Sequence, residues 1–202
     1  MRITAKMLIA AGLVGAFSVA AALAQQAQPM RVAGKVTGMD AGVVAVKDSK
    51  GEEFKISVPA NLAVMAVSKG TLADVKPNSF VGVGATPQAD GSQKAIRVVV
   101  FAESQRGTGE GHRPWDRPNT TMTNATVDTT VSSVDGQVVS VKYRGGEQKI
   151  VIGPDAIILV NSAGDKSEVK PGANVAFPAV TKKPDGTLEA NRVNVGRGDV
   201  TP

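Results

Sequence analysis

The amino-acid sequence predicts an all-β protein, and three observations carry that prediction. After residue 24 there are 28 valines against four leucines, and branched side chains lose little rotamer freedom in extended backbone while they crowd a helix. Apolar residues recur with a period of two: Phe54, Ile56 and Val58 alternate with Lys55 and Ser57, and Val81, Val83 and Ala85 repeat the pattern. Turn-forming residues separate these runs at Ser49-Lys50-Gly51, Pro77-Asn78, Asp90-Gly91, Arg144-Gly145-Gly146, Pro171-Gly172 and Asp185-Gly186.

The first element is a targeting segment. Met1 to Lys6 is basic, Met7 to Ala22 is apolar, and Ala22-Leu23-Ala24 supplies a small-x-small cleavage pattern before Gln25. Residues 1–24 therefore read as a secretory signal peptide that is removed. The run is shorter than the ~20 apolar residues of a spanning helix and contains Gly12 and Gly15. The expected address is the periplasm or beyond, with no transmembrane span in the mature chain. Removing Arg2 and Lys6 leaves 21 basic and 18 acidic residues, so the formal charge falls from +5 to +3. Cysteine is absent, which excludes disulfides, zinc–thiolate sites and cysteine nucleophiles and leaves stability to packing.

The remaining elements come as a duplication. Shifted by 94 to 95 residues, the chain matches itself: Val32 and Val36 with Val127 and Val131, and Val43-Val44-x-Val46-Lys47 with Val138-Val139-x-Val141-Lys142. Val75-Lys76-Pro77 likewise matches Val169-Lys170-Pro171, and Arg97-Val98 matches Arg192-Val193. The expected organisation is one repeat over 31–101, a connector over 102–125, a second repeat over 126–196 and a tail over 197–202. Each repeat reads as five or six short strands that must close to hide their edges, so two tandem OB-like barrels are the economical architecture, with a small sandwich as the alternative. Within them Val44, Val46, Val139 and Val141 should face inward and Lys47 and Lys142 outward. Val175, Phe177 and Ala179 should take the positions of Val81, Val83 and Ala85, and a helical turn is expected at Leu72 to Val75, with a more polar equivalent at Lys166 to Val169.

The connector holds the lone histidine and the lone tryptophan of the chain, His112 and Trp115, among Arg106, Arg113, Arg117, Glu103, Glu110 and Asp116. Two readings compete for it. As a ligand-contacting loop, Trp115 is a stacking plane, Arg113 or Arg117 meets an anion, and His112 with Glu110 or Asp116 holds a metal or a proton. As a structural strap, Trp115 is a buried anchor against one or both barrels and the charges pair locally. A metal site is thinly supplied, since one imidazole and scattered carboxylates lack a recognised ligand spacing. Gly107-Thr108-Gly109-Glu110-Gly111 fails as a dinucleotide loop because His112 stands where the third glycine belongs, and no phosphate-binding Gly-Lys-Ser/Thr or Gly-x-Ser-x-Gly elbow occurs. With few stacking aromatics and a small positive charge, a nucleic-acid groove is not expected.

Gly109-Glu110-Gly111-His112-Arg113-Pro114-Trp115-Asp116, followed by Thr121-Met122-Thr123-Asn124-Ala125-Thr126-Val127 and Glu168-Val169-Lys170-Pro171-Gly172, resembles an uncharacterised family of secreted alphaproteobacterial proteins with tandem OB-like domains. Some relatives carry a metal ABC transporter permease label, which implies a metal-transport context, but a permease needs several spanning helices and this sequence has none. The expected function is a non-enzymatic periplasmic binding or interaction module for an unknown small ligand or envelope protein, without a required cofactor. A metal-handling accessory of a transport system is the alternative. The candidate ligand-binding residues are His112, Arg113, Trp115, Asp116 and Arg117, and the candidate metal ligands are His112, Glu110 and Asp116.

Overall fold

The computed structural model describes residues 29–133 and 136–202, so the signal-peptide reading on residues 1–24 lies outside the described residues. The strands are β1 (Met30–Asp40), β2 (Val43–Lys47), β3 (Glu53–Ser57), β4 (Ala63–Lys69), β5 (Phe80–Pro87), β6 (Gln93–Val100) and β7 (Gly111–Pro114). They continue as β8 (Thr121–Ser133), β9 (Gly136–Tyr143), β10 (Gly146–Ile152), β11 (Ile157–Ala163), β12 (Asn174–Lys182), β13 (Leu188–Glu189) and β14 (Arg192–Gly196). Short 3₁₀ turns at Leu72–Asp74 and Lys166–Glu168 stand where helical turns were expected. Among the described residues no helix is long and apolar enough to cross a membrane.

The strands close as five-membered rings. β1 pairs with β2, β2 with β3, β3 with β13, β13 with β12, and β12 returns to β1. A second circuit runs β8, β9, β10, β6, β5 and back to β8. In each ring one contact is parallel, β13 with β3 and β6 with β10, and the others are antiparallel. This is an OB-like barrel, with β4, β7, β11 and β14 lying outside the rings. Closure leaves no unpaired edge within a ring, which is why short valine-rich strands suffice.

The cores do not follow the sequence repeats. The first contains Val32, Val36, Val44, Val46, Ile56, Val58 and Leu62 from the beginning of the chain together with Val169, Val175, Phe177, Val180, Val193 and Val195 from its end. The second lies between Val75 and Ile158 and includes Val81, Val83, Val98, Val127, Val139, Val141, Ile150 and Ile152. Boundaries at 31–101 and 126–196 therefore do not enclose one barrel each. The second barrel is an unbroken stretch of chain set between β3 and β12 of the first. Its entrance and exit, β4 and β11, pair antiparallel, with Val67 opposite Asn161 at the middle of the register. β4 then joins β14 of the first barrel and β11 joins β6 of the second.

Local register also departs from the sequence match. In the first hairpin Val36 faces Val46, with a bulge between Val36 and Gly38. In the second, Val127 faces Val141, with a bulge between Val127 and Thr129. The structure thus aligns Val36 with Val127, not with Val131, and exposure decides the matter: Val36 and Val127 are 2% and 1% exposed, Val131 62%. The second hairpin is simply longer, closing at Ser133 and Gly136 where the first closes at Asp40 and Val43. In β12 the inward sequence breaks after Phe177, because the β1 register steps from Phe177 to Val180 and inserts one extra residue. Pro178, which has no N–H for the ladder, sits in that bulge. Ala179 is consequently exposed and Val180 takes the core position. The register expected for Val44, Val46, Val139 and Val141 holds, each fully buried, while Lys47 and Lys142 are exposed.

Candidate functional site

β5 is buried on both faces. Its inward residues Val81, Val83 and Ala85 fill the second barrel, and its outward ones, Gly82 and Gly84, lie beneath aromatic rings. A Cβ on Gly82 would stand 2.9 Å from Cε2 of Phe101, and one on Gly84 would run into the six-membered ring of Trp115. Glycine in a strand interior weakens the strand unless something must approach closely, and here two aromatic side chains do.

The segment after β6 brings those rings into place. A 3₁₀ turn at Glu103–Gln105 buries Gln105, whose Oε1 accepts from Asn161 Nδ2 at 3.0 Å. Arg106 grips Glu103 and donates to the Asn78 carbonyl at 2.8 Å, and this guanidinium holds the Glu103 carboxyl below the usual carboxylate range. β7 then adds to β8, and the backbone N–H of Trp115 donates to the Thr120 carbonyl at 2.9 Å across a turn with Asn119 at positive φ. The expected connector 102–125 is therefore partly barrel: β8 begins at Thr121, and Thr123 and Ala125 are fully buried.

The candidate residues disperse. His112 shares a 2.8 Å hydrogen bond between Nδ1 and Thr123 Oγ1 and stacks near Tyr143, with ring centroids 6.3 Å apart. Glu110 Oε1 accepts from the backbone N–H of Arg144 at 2.9 Å. Asp116 and Arg117 are exposed. Among the described residues no three histidine or carboxylate groups gather as a metal site, so His112, Glu110 and Asp116 are not brought together. Trp115 is half-buried, less covered than a full anchor. Arg113 stays with it, Nη1 donating to the Gly109 carbonyl at 2.9 Å.

Strand register assembles a site that the connector alone does not contain. Arg113, Met122, Gly84, Arg97 and Ile157 are consecutive partners on β7, β8, β5, β6 and β11. Asn124, Gly82, Val99, Leu159 and Lys69 form the next row, on β8, β5, β6, β11 and β4. Directly paired residues share a face, on strands about 4.8 Å apart. A cavity of about 250 Å³ lies on this face between Trp115, Phe101, Arg97, Arg113, Met122 and Asn124. Among the described residues no carboxylate lines it. Among the described residues neither Arg97 nor Arg113 has an ion pair. Asn124 is 7% exposed; its Nδ2 donates to the Thr108 carbonyl at 2.9 Å and its buried Oδ1 has no partner among the described residues.

Sequence reasoning found Trp115 and Arg113 but missed Arg97, Phe101, Asn124 and Ile157. Two signals were present. Val81-Gly82-Val83-Gly84 places glycine at two successive outward positions of a strand, and Ala156-Ile157-Ile158-Leu159-Val160 lacks alternation, which marks a strand with apolar residues on both faces. No family model, curated protein or solved structure matches the chain.

Proposed function

We propose that this protein is a non-enzymatic binding module of the cell envelope, and that its working surface is the outward face of β5, β6 and β8 beneath Trp115. The observation that carries this reading is a half-buried tryptophan laid over Gly84 beside two arginines that have no carboxylate partner. A guanidinium left without a counter-ion beside apolar rings offers its donors to an incoming anion, and a half-exposed indole gives that anion's body a flat surface. The scaffold is suited to presentation rather than bond-making, because the lining supplies no nucleophile next to a base.

Trp115 is the lone tryptophan, so its emission reports this site directly. The ratio of iodide to caesium quenching should be several-fold higher for Trp115 at low salt than for free N-acetyl-tryptophanamide, since the local field concentrates anions. The excess should shrink in an Arg97→Gln, Arg113→Gln double variant. A ratio in the unaltered protein no higher than that of the free amide would remove the basis for an anion-receiving face.

A further inference from the structure

Arg97 lines a second, larger cavity as well. On the other side of its side chain a groove of about 620 Å³ runs between the barrels, past Ile157, Leu72, Ala156 and Val200, to Lys69. Ile157 is 50% exposed, although it begins a strand and stands directly beside Arg97 in the register. The volume lies within the range of small-molecule sites, and an exposed isoleucine inside a concave apolar lining is the kind of surface that a ligand covers. Two cations, Lys69 and Arg97, border the groove against one carboxylate, Asp199, and neither cation has an ion pair among the described residues.

Resting on the binding reading above, we propose that the ligand is a soluble single-chain amphiphile with an acidic head. Its head lies between Arg97 and Arg113 beside Trp115, and its unbranched apolar body lies in the inter-barrel groove along Ile157 and Leu72. The charge arrangement favours this occupant over a neutral one, because Arg97 lines both the aromatic cavity and the groove. The concave shape favours a single small molecule over a protein surface.

Calorimetric titration of the full mature chain with decanoate, decanol and acetate tests the assignment. Decanoate should bind about 100-fold more tightly than acetate, since its methylenes leave water, and about tenfold more tightly than decanol, which lacks the charge. Arg97→Gln should weaken decanoate about tenfold and bring it level with decanol. Ile157→Ser, an exposed change that leaves the cores intact, should weaken decanoate several-fold without touching acetate. Decanol binding as tightly as decanoate, or decanoate binding unaffected by Ile157→Ser, would overturn the proposal. So would co-sedimentation with anionic phospholipid vesicles in the absence of decanoate binding, which would assign the face to a membrane surface. Loss of the decanoate preference with iodide-selective quenching of Trp115 intact would refute the amphiphile while leaving the anion-binding face in place.

Discussion

Gly82 and Gly84 decide what the site can be, because they are the positions at which the barrel wall is thinnest. Any side chain at 84 occupies the space of the Trp115 ring. Gly84→Val should expel the indole, shift Trp115 emission towards that of a solvent-exposed tryptophan, and cost about 1–3 kcal/mol through overpacking. Ordinary core positions behave differently. Val139, fully buried, should lose about 1–3 kcal/mol on truncation to alanine through the cavity left behind. Lys142 pairs with Asp128 in solvent, and its replacement by alanine should leave the denaturant midpoint where it was. Equal losses at 139 and 142 would contradict the register. At this scale the sequence was readable wherever alternation was clean, as at Val44, Val46, Val139 and Val141. It was unreadable at Arg97, whose importance depends on Gly84 and Ile157 standing on its two sides in the folded sheet.

Among the elements, the 3₁₀ turns at Leu72–Asp74 and Lys166–Glu168 show how far local chemistry specifies structure. Asp74 accepts from the Thr71 N–H at 2.8 Å and from its hydroxyl. Asp165 accepts from the Ser167 N–H, and Glu168 accepts from the Asp165 N–H while meeting Arg197. The Thr71 backbone and hydroxyl hold the Asp74 carboxyl below its ordinary value, and Ser167 does the same for Asp165. For Glu168 the Arg197 guanidinium is the main cause and the Asp165 N–H the next. A carboxyl whose folded pKa is depressed binds protons more readily in the unfolded chain, so stability rises with pH across the window between the two values. The stabilisation should be complete above the unfolded carboxyl range of about 4 and should be lost as pH falls below it. Denaturant midpoints measured from pH 6 to pH 2 should trace that fall, and an Asp165→Asn, Glu168→Gln variant should show a shallower one. The turn at Leu72–Asp74 was legible because strand alternation lapses there. The β12 bulge was not, since one inserted residue at Pro178 moves the core from Ala179 to Val180 without altering the apolar count.

For the whole molecule, the two barrels were legible and their boundaries were not. Matched segments present the same inward residues, so strands β1 to β3 are satisfied equally by β12 and β13 or by β5 and β6. Exchange of like elements is invisible to hydrophobic patterning. The structure makes the difference measurable. A fragment of residues 70–160 contains the entire second core and should unfold cooperatively by itself. A fragment of residues 126–202 contains the later part of β8 with β9 and β10 but without β5 and β6, and β12 to β14 without β1 to β3, and should remain unfolded. The reverse result would restore one barrel to each sequence repeat.

Because the second barrel enters and leaves through β4 and β11, it has no free end of its own, and this has a mechanical consequence. Tension applied between Met30 and Pro202 is carried first by β1, β12 and the other strands of the outer barrel. The pairing of β4 with β11 clamps both ends of the inner barrel together and holds them out of the line of force until the outer barrel has ruptured. A single molecule stretched from its ends should therefore extend in two ordered steps, and the surface that bears Trp115 should survive the first.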